Sequence, residues 1–471
     1  MKTDVVFTYP ALDEKKIDSL LKAEIANNNT KLIVLDDDPT GVQTVHDVMV
    51  CTHWDEESIR HGFHDPNKLF FIMTNSRAMT EAETTRIHKE IVHNVSNVAR
   101  ELGIRYLYMS RGDSTLRGHY PLETLLLKQG LEAEEGCCVD GEVLCPFFLE
   151  GGRFTIDNVH YVRCGEELVP AAETEFAKDR TFGYKHSCMT EYVEEKTAGA
   201  YPKENVICIS LSEIRSMDIE GITDKLCNVK GFGKICVNAI DYCDIKVFAI
   251  ALYRAMARGK TFMFRTAASL VKVMGGVNDK PLLTRKDMIA KEMPNGGLII
   301  VGSHTKKTTA QLEELLKNEK IVAIPFNSDL ILEGDKAFQE EIERCLALET
   351  KAICEGRTAV CYTSRRLLSL EDDTREDALL RSVEISDGVQ SLVSRLNVEP
   401  AFVIAKGGIT SSDIGVKALR IRYARVMGQV VPGIPVWQAD DNSKFPKIPY
   451  VIFPGNVGED ETLRRVAETL M

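Results

Sequence analysis

Short apolar runs alternate with longer amphipathic stretches along most of the chain. The runs KLIVL (31–35), KLFFIM (68–73), YLYMS (106–110), NVICIS (205–210), KICVNA (234–239), LIIVGS (298–303), IVAIPF (321–326), TAVCYTS (358–364) and AFVIAK (401–406) predict strands. Few polar residues interrupt them, which is the pattern of strands covered on both faces and so of parallel sheet. Between many of them lie helical patterns at 81–102, 244–259, 308–318, 336–349 and 377–396. Strands alternating with helices predict βαβ units and an α/β fold. The stretch 274–297 is rich in Gly, Pro and charge and reads as a linker. It divides the chain into a first domain, 1–284, and a second, 285–471, as a length of 471 residues demands. The expectation is two α/β domains, each a mostly parallel sheet flanked by helices, with a ligand cleft between them. The segment 140–190 is richer in turns and reads as an antiparallel hairpin laid on the first domain.

Composition narrows the function. A net charge of −12 and a pI near 5.5 argue against a nucleic-acid surface. They leave room for a small anion where Arg and Lys gather locally. The 13 cysteines are scattered and form no C-x-x-C, so zinc-ribbon and thioredoxin signatures are missing. Such a set fits a reducing cytoplasm. The opening MKTDVVFTYPALDEKK has no apolar core of the signal-peptide kind, and no run reaches the ~18 apolar residues of a membrane helix.

In open α/β sheets ligands bind beyond the carboxyl ends of the strands. Here those ends read LDDDPTG (35–41), MTNSR (73–77), SRGDSTLRG (110–118), VGSHTKKTT (301–309), YTSRR (362–366) and AKGGITSSD (405–413). One such loop is ordinary N-cap chemistry. Six point to lined sites. Within LDDDPTG, Asp36-x-Asp38-x-Thr40 fits the pattern of haloacid-dehalogenase-type phosphatases, with Asp36 as nucleophile. The second acid of that machinery is missing after Gly112-Asp113, where Ser114, Thr115 and Leu116 follow. A plain Asx turn is the other reading of Asp37–Thr40.

The stretch 111–118 holds two arginines, an acid, two hydroxyls and two glycines. An Arg fork there can grip a carboxylate, while Asp113, Ser114 and Thr115 can hold hydroxyls. Arg153, after a glycine pair, could reach a substrate carboxylate or sit on a surface hairpin. In the second half, Gly407-Gly408 before Thr410, Gly302-Ser303 before two lysines, and Gly455 in PGNVG are turns whose backbone N–H groups can cradle phosphate. Three of them suggest a nucleotide-binding domain. RGKT (258–261) imitates the end of a P-loop, but the required glycine is Arg254 and the tetrad closes a helix. No GxGxxG is present. His46, His119 and His304 lie in the motif loops and could touch substrate or phosphate.

Taken in order, these motifs resemble the four-carbon acid sugar kinase family. The resemblance is carried by Asp37-Asp38-Pro39-Thr40-Gly41, Thr74-Asn75-Ser76-Arg77, Asp113 to Gly118, and Gly152-Arg153. It continues through FRTAASLV (264–271), Gly302-Ser303, Thr363-Ser364-Arg365, Gly407-Gly408-Ile409-Thr410 and Pro454 to Gly458. Many members have Leu at Pro39, a Lys-containing run at Arg111-Gly112, and Glu at Ile409. The first two departures bear on which acid is bound, the third on Mg²⁺.

The resemblance implies an ATP-dependent kinase that phosphorylates a hydroxyl of a tetronate or 3-oxo-tetronate with Mg²⁺. It makes Asp37 and Asp113 the catalytic candidates. Asp38, Thr40, Asn75, Ser76, Arg77, Ser114, Thr115, Arg117, Gly118 and Arg153 would bind the acid. Ser303, Ser364, Gly407, Gly408, Ile409, Thr410 and Gly455 would bind ATP. No protein side chain is assigned as a metal ligand. The expected partners are the sugar acid and ATP, without nucleic acid or membrane, and a homo-oligomer remains open. Two rivals stand beside it: a sugar-phosphate phosphatase using Asp36 and Asp38, and a sensor that binds the acid without consuming ATP.

Overall fold

The computed structural model describes residues 1–38, 41–290, 292–366, 368, 375–455 and 457–471. Thr40 and Asn456 therefore lie outside the described residues. The chain forms two compact units: Met1–Thr44 with His53–Asp279, and Val45–Thr52 with Lys280–Met471.

In the first unit the strands lie in the order Ile207–Ile209, Gly233–Val237, Gly141–Cys145, Phe262–Thr266, Tyr106–Arg111, Lys31–Asp36, Leu69–Met73. Every neighbouring pair is parallel. The three strands nearest the acidic loop are buried at every position, as two-sided cover requires. Two of the strands were not apparent in the apolar pattern. In Gly141–Cys145 the run is broken by Glu142, which is buried and bonded at 2.5 Å to Lys234 of the adjacent strand. The two charges are legible only as a pair. Phe262–Thr266 has three apolar residues before Arg265, too short a run to stand out.

The turn-rich segment is a three-stranded antiparallel sheet, Arg153–Ile156, Val159–Cys164 and Glu167–Pro170. Short 3₁₀ turns and the helix Met189–Lys196 follow it. A mutual backbone pair between Thr155 and Ala239 ties it to the chain leaving the Gly233–Val237 strand.

In the second unit Ile321–Phe326, Thr358–Thr363, Leu298–Val301, Val403–Lys406 and Pro449–Phe453 are successive parallel neighbours. Ile434–Ala439, Tyr423–Val431 and Met49–Cys51 extend that sheet in antiparallel fashion. The eight residues 45–52 join this unit because Met49–Cys51 pairs with Tyr423–Val431. The Tyr423–Val431 strand alternates buried with less buried positions and so lacks a continuous apolar run. It returns through Pro432-Gly433, with Gly433 at φ 81. Among the described residues no helix is long and apolar enough to cross a membrane.

Lys234→Met leaves the Glu142 carboxylate buried without its counter-charge, held only by the Tyr120 hydroxyl at 3.2 Å. It should lower the unfolding free energy by about 3–5 kcal/mol in urea titrations. Adding Glu142→Gln should recover most of the loss.

Candidate functional site

In the first unit, the carboxyl ends of the Leu69–Met73, Lys31–Asp36, Tyr106–Arg111 and Phe262–Thr266 strands converge on one ionic cluster. The three acids of LDDD separate there. Asp36 is 2% exposed; its Oδ1 accepts from Arg111 at 3.1 Å and from the Asp38 N–H at 3.2 Å. Its Oδ2 is buried without a hydrogen-bond partner among the described residues. Gly41 closes over it, since a Cβ there would stand 1.7 Å from that oxygen. Burial raises the Asp36 carboxyl to about 7, against the pull of Arg111.

Asp37, also 2% exposed, takes Arg77 Nη2 at 2.5 Å and Nε at 3.2 Å, a bidentate fork, while Arg77 Nη1 reaches Asp38 at 3.2 Å. Burial raises the Asp37 carboxyl above its ordinary value, opposed by Arg77 and then Arg265. Asp113 behaves in the opposite way. Burial would raise it, but Arg77 and Arg117 outweigh burial and hold it well below the usual carboxylate range. Arg117 Nε donates to Asp113 Oδ2 at 2.6 Å, and the Thr115 hydroxyl bonds the same oxygen.

Other predicted residues meet the cluster differently. Ser76 is fully buried and donates at 2.5 Å to Glu123, so its hydroxyl braces the site from behind. Asn75 takes the left-handed conformation, φ 55, at the turn above the strand. Gly118, φ 117, lets the backbone pass between Asp37 and Arg265; a Cβ would stand 3.1 Å from Asp37 Oδ2 and 2.5 Å from Arg265 Nη2. Ser114 presents its backbone carbonyl to His160 at 2.8 Å. Arg117 and Arg153 both lie over the Phe176 ring, at 5.1 and 5.8 Å. The buried Arg153 Nε has no hydrogen-bond partner among the described residues. His119 is spent on the carbonyls of Ser76 and Met79.

Three residues outside the list of candidate site residues complete the cluster: Arg111, Glu123 and Arg265. Arg265 Nη1 bonds Glu123 at 2.6 Å and Ser110 at 3.0 Å, and its Nη2 bonds the Arg117 carbonyl at 3.1 Å. Burial opposes the ionisation of Glu123, but Arg265 and His88 hold it down at about 2. A lone Arg closing an apolar FMF run at a strand end was the signal for Arg265.

In the second unit, Ser303, Ser364, Gly407, Gly408, Ile409, Thr410 and Gly455 all line one cavity of about 580 Å³, a size suited to a nucleotide. His304 lines it too, whereas His46 pairs with Asp47 at 2.7 Å. The glycines are matched to their neighbours. A Cβ at Gly302 would stand 2.2 Å from Thr410 Oγ1, and at Gly407, φ 125, 3.1 Å from the Ser303 Cβ. At Gly408 a Cβ meets nothing within 4 Å. Thr305 caps the helix Lys306–Leu315, and the Thr308 hydroxyl bonds the Gly455 carbonyl at 3.1 Å. Behind the loops, Lys406 is fully buried and donates to the Pro454 carbonyl at 2.6 Å; burial lowers it to about 7, with Lys307 adding to the shift. Leu368, Ile385 and Val389 give the lining an apolar wall beside Ser382 and Ser386, with Ile409 71% exposed. Ile385 and Val389 sit four residues apart on the helix Arg375–Ser394, one face of a pattern that had no assigned role. Among the described residues no cluster of three His, Cys, Asp or Glu side chains is arranged to hold a metal ion.

Fold and sites define a two-part ligand-binding protein. Residues 32–274 match the family model of a sugar-binding N-terminal domain, and residues 298–463 that of a nucleotide-binding C-terminal domain. The chain belongs to the four-carbon acid sugar kinase family, which includes the proteins grouped as DUF1537. A Haemophilus influenzae protein of the DUF1537 group is similar in fold, with 15% identity, a TM-score of 0.62, and coverage of 93% of this chain and 100% of that one. A Salmonella typhimurium LT2 protein, named only provisionally as a tRNA synthase, has 13% identity and a TM-score of 0.67 over 93% of this chain and 98% of that one. At such identities the likeness concerns the fold alone. The search of curated proteins returned no match.

The Asp36 environment makes a pH prediction. A carboxyl whose folded value, about 7, lies above its ordinary 3.8 keeps its proton in the folded state while the unfolded chain has lost it. Stability then falls as pH rises through that window, by up to about 1.4 kcal/mol per pH unit. Asp113 and Glu123, both lowered, act with the opposite sign and below pH 4. Asp36→Asn should therefore flatten the decline of unfolding free energy between pH 4.5 and 7, measured by urea titration at each pH.

Proposed function

We propose that the protein is an ATP-dependent kinase acting on a hydroxyl of a four-carbon sugar acid. The observation that carries the reading is one chain that holds a carboxylate–guanidinium cluster at strand ends and, in its other unit, a glycine-lined cavity of about 580 Å³. Phosphoryl transfer asks mainly for positioning and charge neutralisation, and these residues supply both. All three nitrogens of Arg77 are taken by Asp37 and Asp38, whereas Arg117 gives Asp113 only its Nε and the Arg153 Nε has no partner among the described residues, so the acid's carboxylate falls to Arg117 and Arg153, which lie over Phe176. Asp113, held ionised, accepts a substrate hydroxyl without taking its proton. Asp37, whose affinity for a proton is raised, would serve as general base once the substrate hydroxyl takes the place of one bond of the Arg77 fork, which holds both its oxygens. Asp38 and Asn75 border the same cluster. Thr40 would join them by resemblance.

The glycine turns at 407–408 and 455, with Ser303, Ser364 and Thr410, would hold the ATP phosphates, and the apolar wall would receive the base. Mg²⁺ would arrive on the phosphates of ATP, needing few protein ligands. The scattered cysteines, which form no C-x-x-C, fit a reducing, cytoplasmic setting.

The phosphatase alternative asks Asp36 to attack phosphorus. A nucleophile must be ionised and reachable, whereas Asp36 leans towards its protonated form beneath Gly41. A sensor would bind the acid and leave ATP intact.

ADP release decides among the three. Mixed with Mg-ATP and a panel of four-carbon acids, the protein should release ADP with a particular acid. Phosphate released from a sugar phosphate without ATP would favour the phosphatase. Binding of the acid without ADP would favour the sensor.

Asp37→Asn should cut turnover at least tenfold while calorimetry still shows acid binding. Undiminished turnover would remove Asp37 as base.

Gly408→Val projects a side chain into open space in the cavity. It should weaken ATP binding at least tenfold in calorimetry and leave acid binding unchanged.

A further inference from the structure

The proposed reaction gives no task to the buried polar side chains of the 154–196 segment, yet three of them converge on the Asp113 loop. The carbonyls of four consecutive residues in that loop are each taken by a side chain, three of them buried. His160 Nε2 bonds Ser114 O at 2.8 Å, Tyr184 Oη donates to Thr115 O at 2.8 Å, and Tyr192 Oη donates to Leu116 O at 2.9 Å. Arg265 Nη2 donates to Arg117 O at 3.1 Å. A carbonyl only accepts, so His160 carries its hydrogen on Nε2. Its Nδ1, 3.0 Å from the Thr155 hydroxyl, then accepts. Burial lowers the His160 imidazole to about 4, so this neutral tautomer persists across the working range of pH. Thr155 is itself paired through its backbone with Ala239, so the grip on Ser114 runs back to the end of the Gly233–Val237 strand.

A loop between a strand and a helix has no ladder to fix it, and its buried carbonyls need partners. This loop also adopts conformations that a chain rarely keeps unaided: Leu116 has φ 70 and Gly118 φ 117. Such conformations persist where surrounding contacts over-determine them. Here the contacts come from aromatic side chains that pack on one another, Tyr192 edge-on to Tyr184 at 5.6 Å and stacked on Tyr120 at 5.8 Å. Once the backbone is fixed, Thr115 and Arg117 are delivered to the same oxygen of Asp113.

We infer that His160, Tyr184 and Tyr192 are positioning residues, which hold the backbone of residues 114–116 so that Asp113, Thr115 and Arg117 present one preformed surface to the acid. The role in catalysis rests on the kinase reading above. The role in holding the loop does not.

Tyr184→Phe and Tyr192→Phe keep the rings and remove one donor each. His160→Leu removes the donor, and His160→Gln restores an amide N–H near the same place. Hydrogen exchange read by mass spectrometry should become at least threefold faster in peptides covering 110–120 for the Phe and Leu variants, with strand peptides unchanged. His160→Gln should return most of the protection. With the acid identified by ADP release, the same variants should raise KM for the acid at least fivefold and leave KM for ATP within twofold, well below their melting temperatures. A merely structural role would lower the melting temperature and leave this split unmoved. Unchanged loop exchange in both Phe variants would overturn the inference. So would wild-type acid KM in folded variants whose loop exchange has risen. Should His160→Leu fail to fold, the two Phe variants decide alone. Should no acid support ADP release, the kinase reading falls and the exchange experiment still judges the loop.

Discussion

The guanidinium of Arg265, 11% exposed, has to be balanced with little help from water, and the first unit's site is built around how that is done. Glu123 balances its charge at 2.6 Å, Ser110 and the Arg117 carbonyl take further N–H groups, and Asp37 stands 3.9 Å away. Glu123 in turn accepts from Ser76. One cation thus connects groups that follow four neighbouring strands. Breaking such a pair on one side typically costs about 3–5 kcal/mol, because the partner charge stays buried. The strand ends are therefore held as a unit, and the Asp37–Arg77 fork and the Asp113 loop inherit that rigidity.

The same balance between burial and partners assigns different tasks to chemically identical groups. Asp36 is a buried carboxylate and Asp113 a largely buried one. Asp36 has Arg111 and an unpartnered oxygen, and burial wins. Asp113 has Arg77, Arg117 and Thr115, and the partners win. A run of three aspartates in sequence becomes one structural acid, one acid raised in its affinity for protons, and one half-exposed rim acid. In the second unit the comparable economy is one of volume. Gly302 and Gly407 admit Thr410 and Ser303 where side chains would collide, while Gly408 borders open cavity.

Much of this was legible in the chain. The parallel core strands announced themselves as apolar runs, and the glycine turns that line the second unit's cavity were readable because ligands lie beyond strand ends. The illegible part has a common cause: residues whose meaning depends on a partner distant in sequence. Glu142 interrupts a strand pattern until Lys234 is seen beside it, 92 residues later. His160, Tyr184 and Tyr192 belong to no strand-end motif, and only their bonds to the Asp113 loop show what they hold. The pairing of Met49–Cys51 with Tyr423–Val431 reassigns residues 45–52 to the second unit, and no local pattern announces it.

The central claim is that the ionic cluster of the first unit is an acid-binding site with its surface already formed. A crystal structure of the protein with the four-carbon acid that supports ADP release tests it most directly. The account predicts the acid's carboxylate within hydrogen-bonding distance of Arg117 or Arg153, a hydroxyl on Asp37 or Asp113, and residues 113–118 unmoved. An acid seated away from these residues, or a loop that refolds to receive it, would contradict the account.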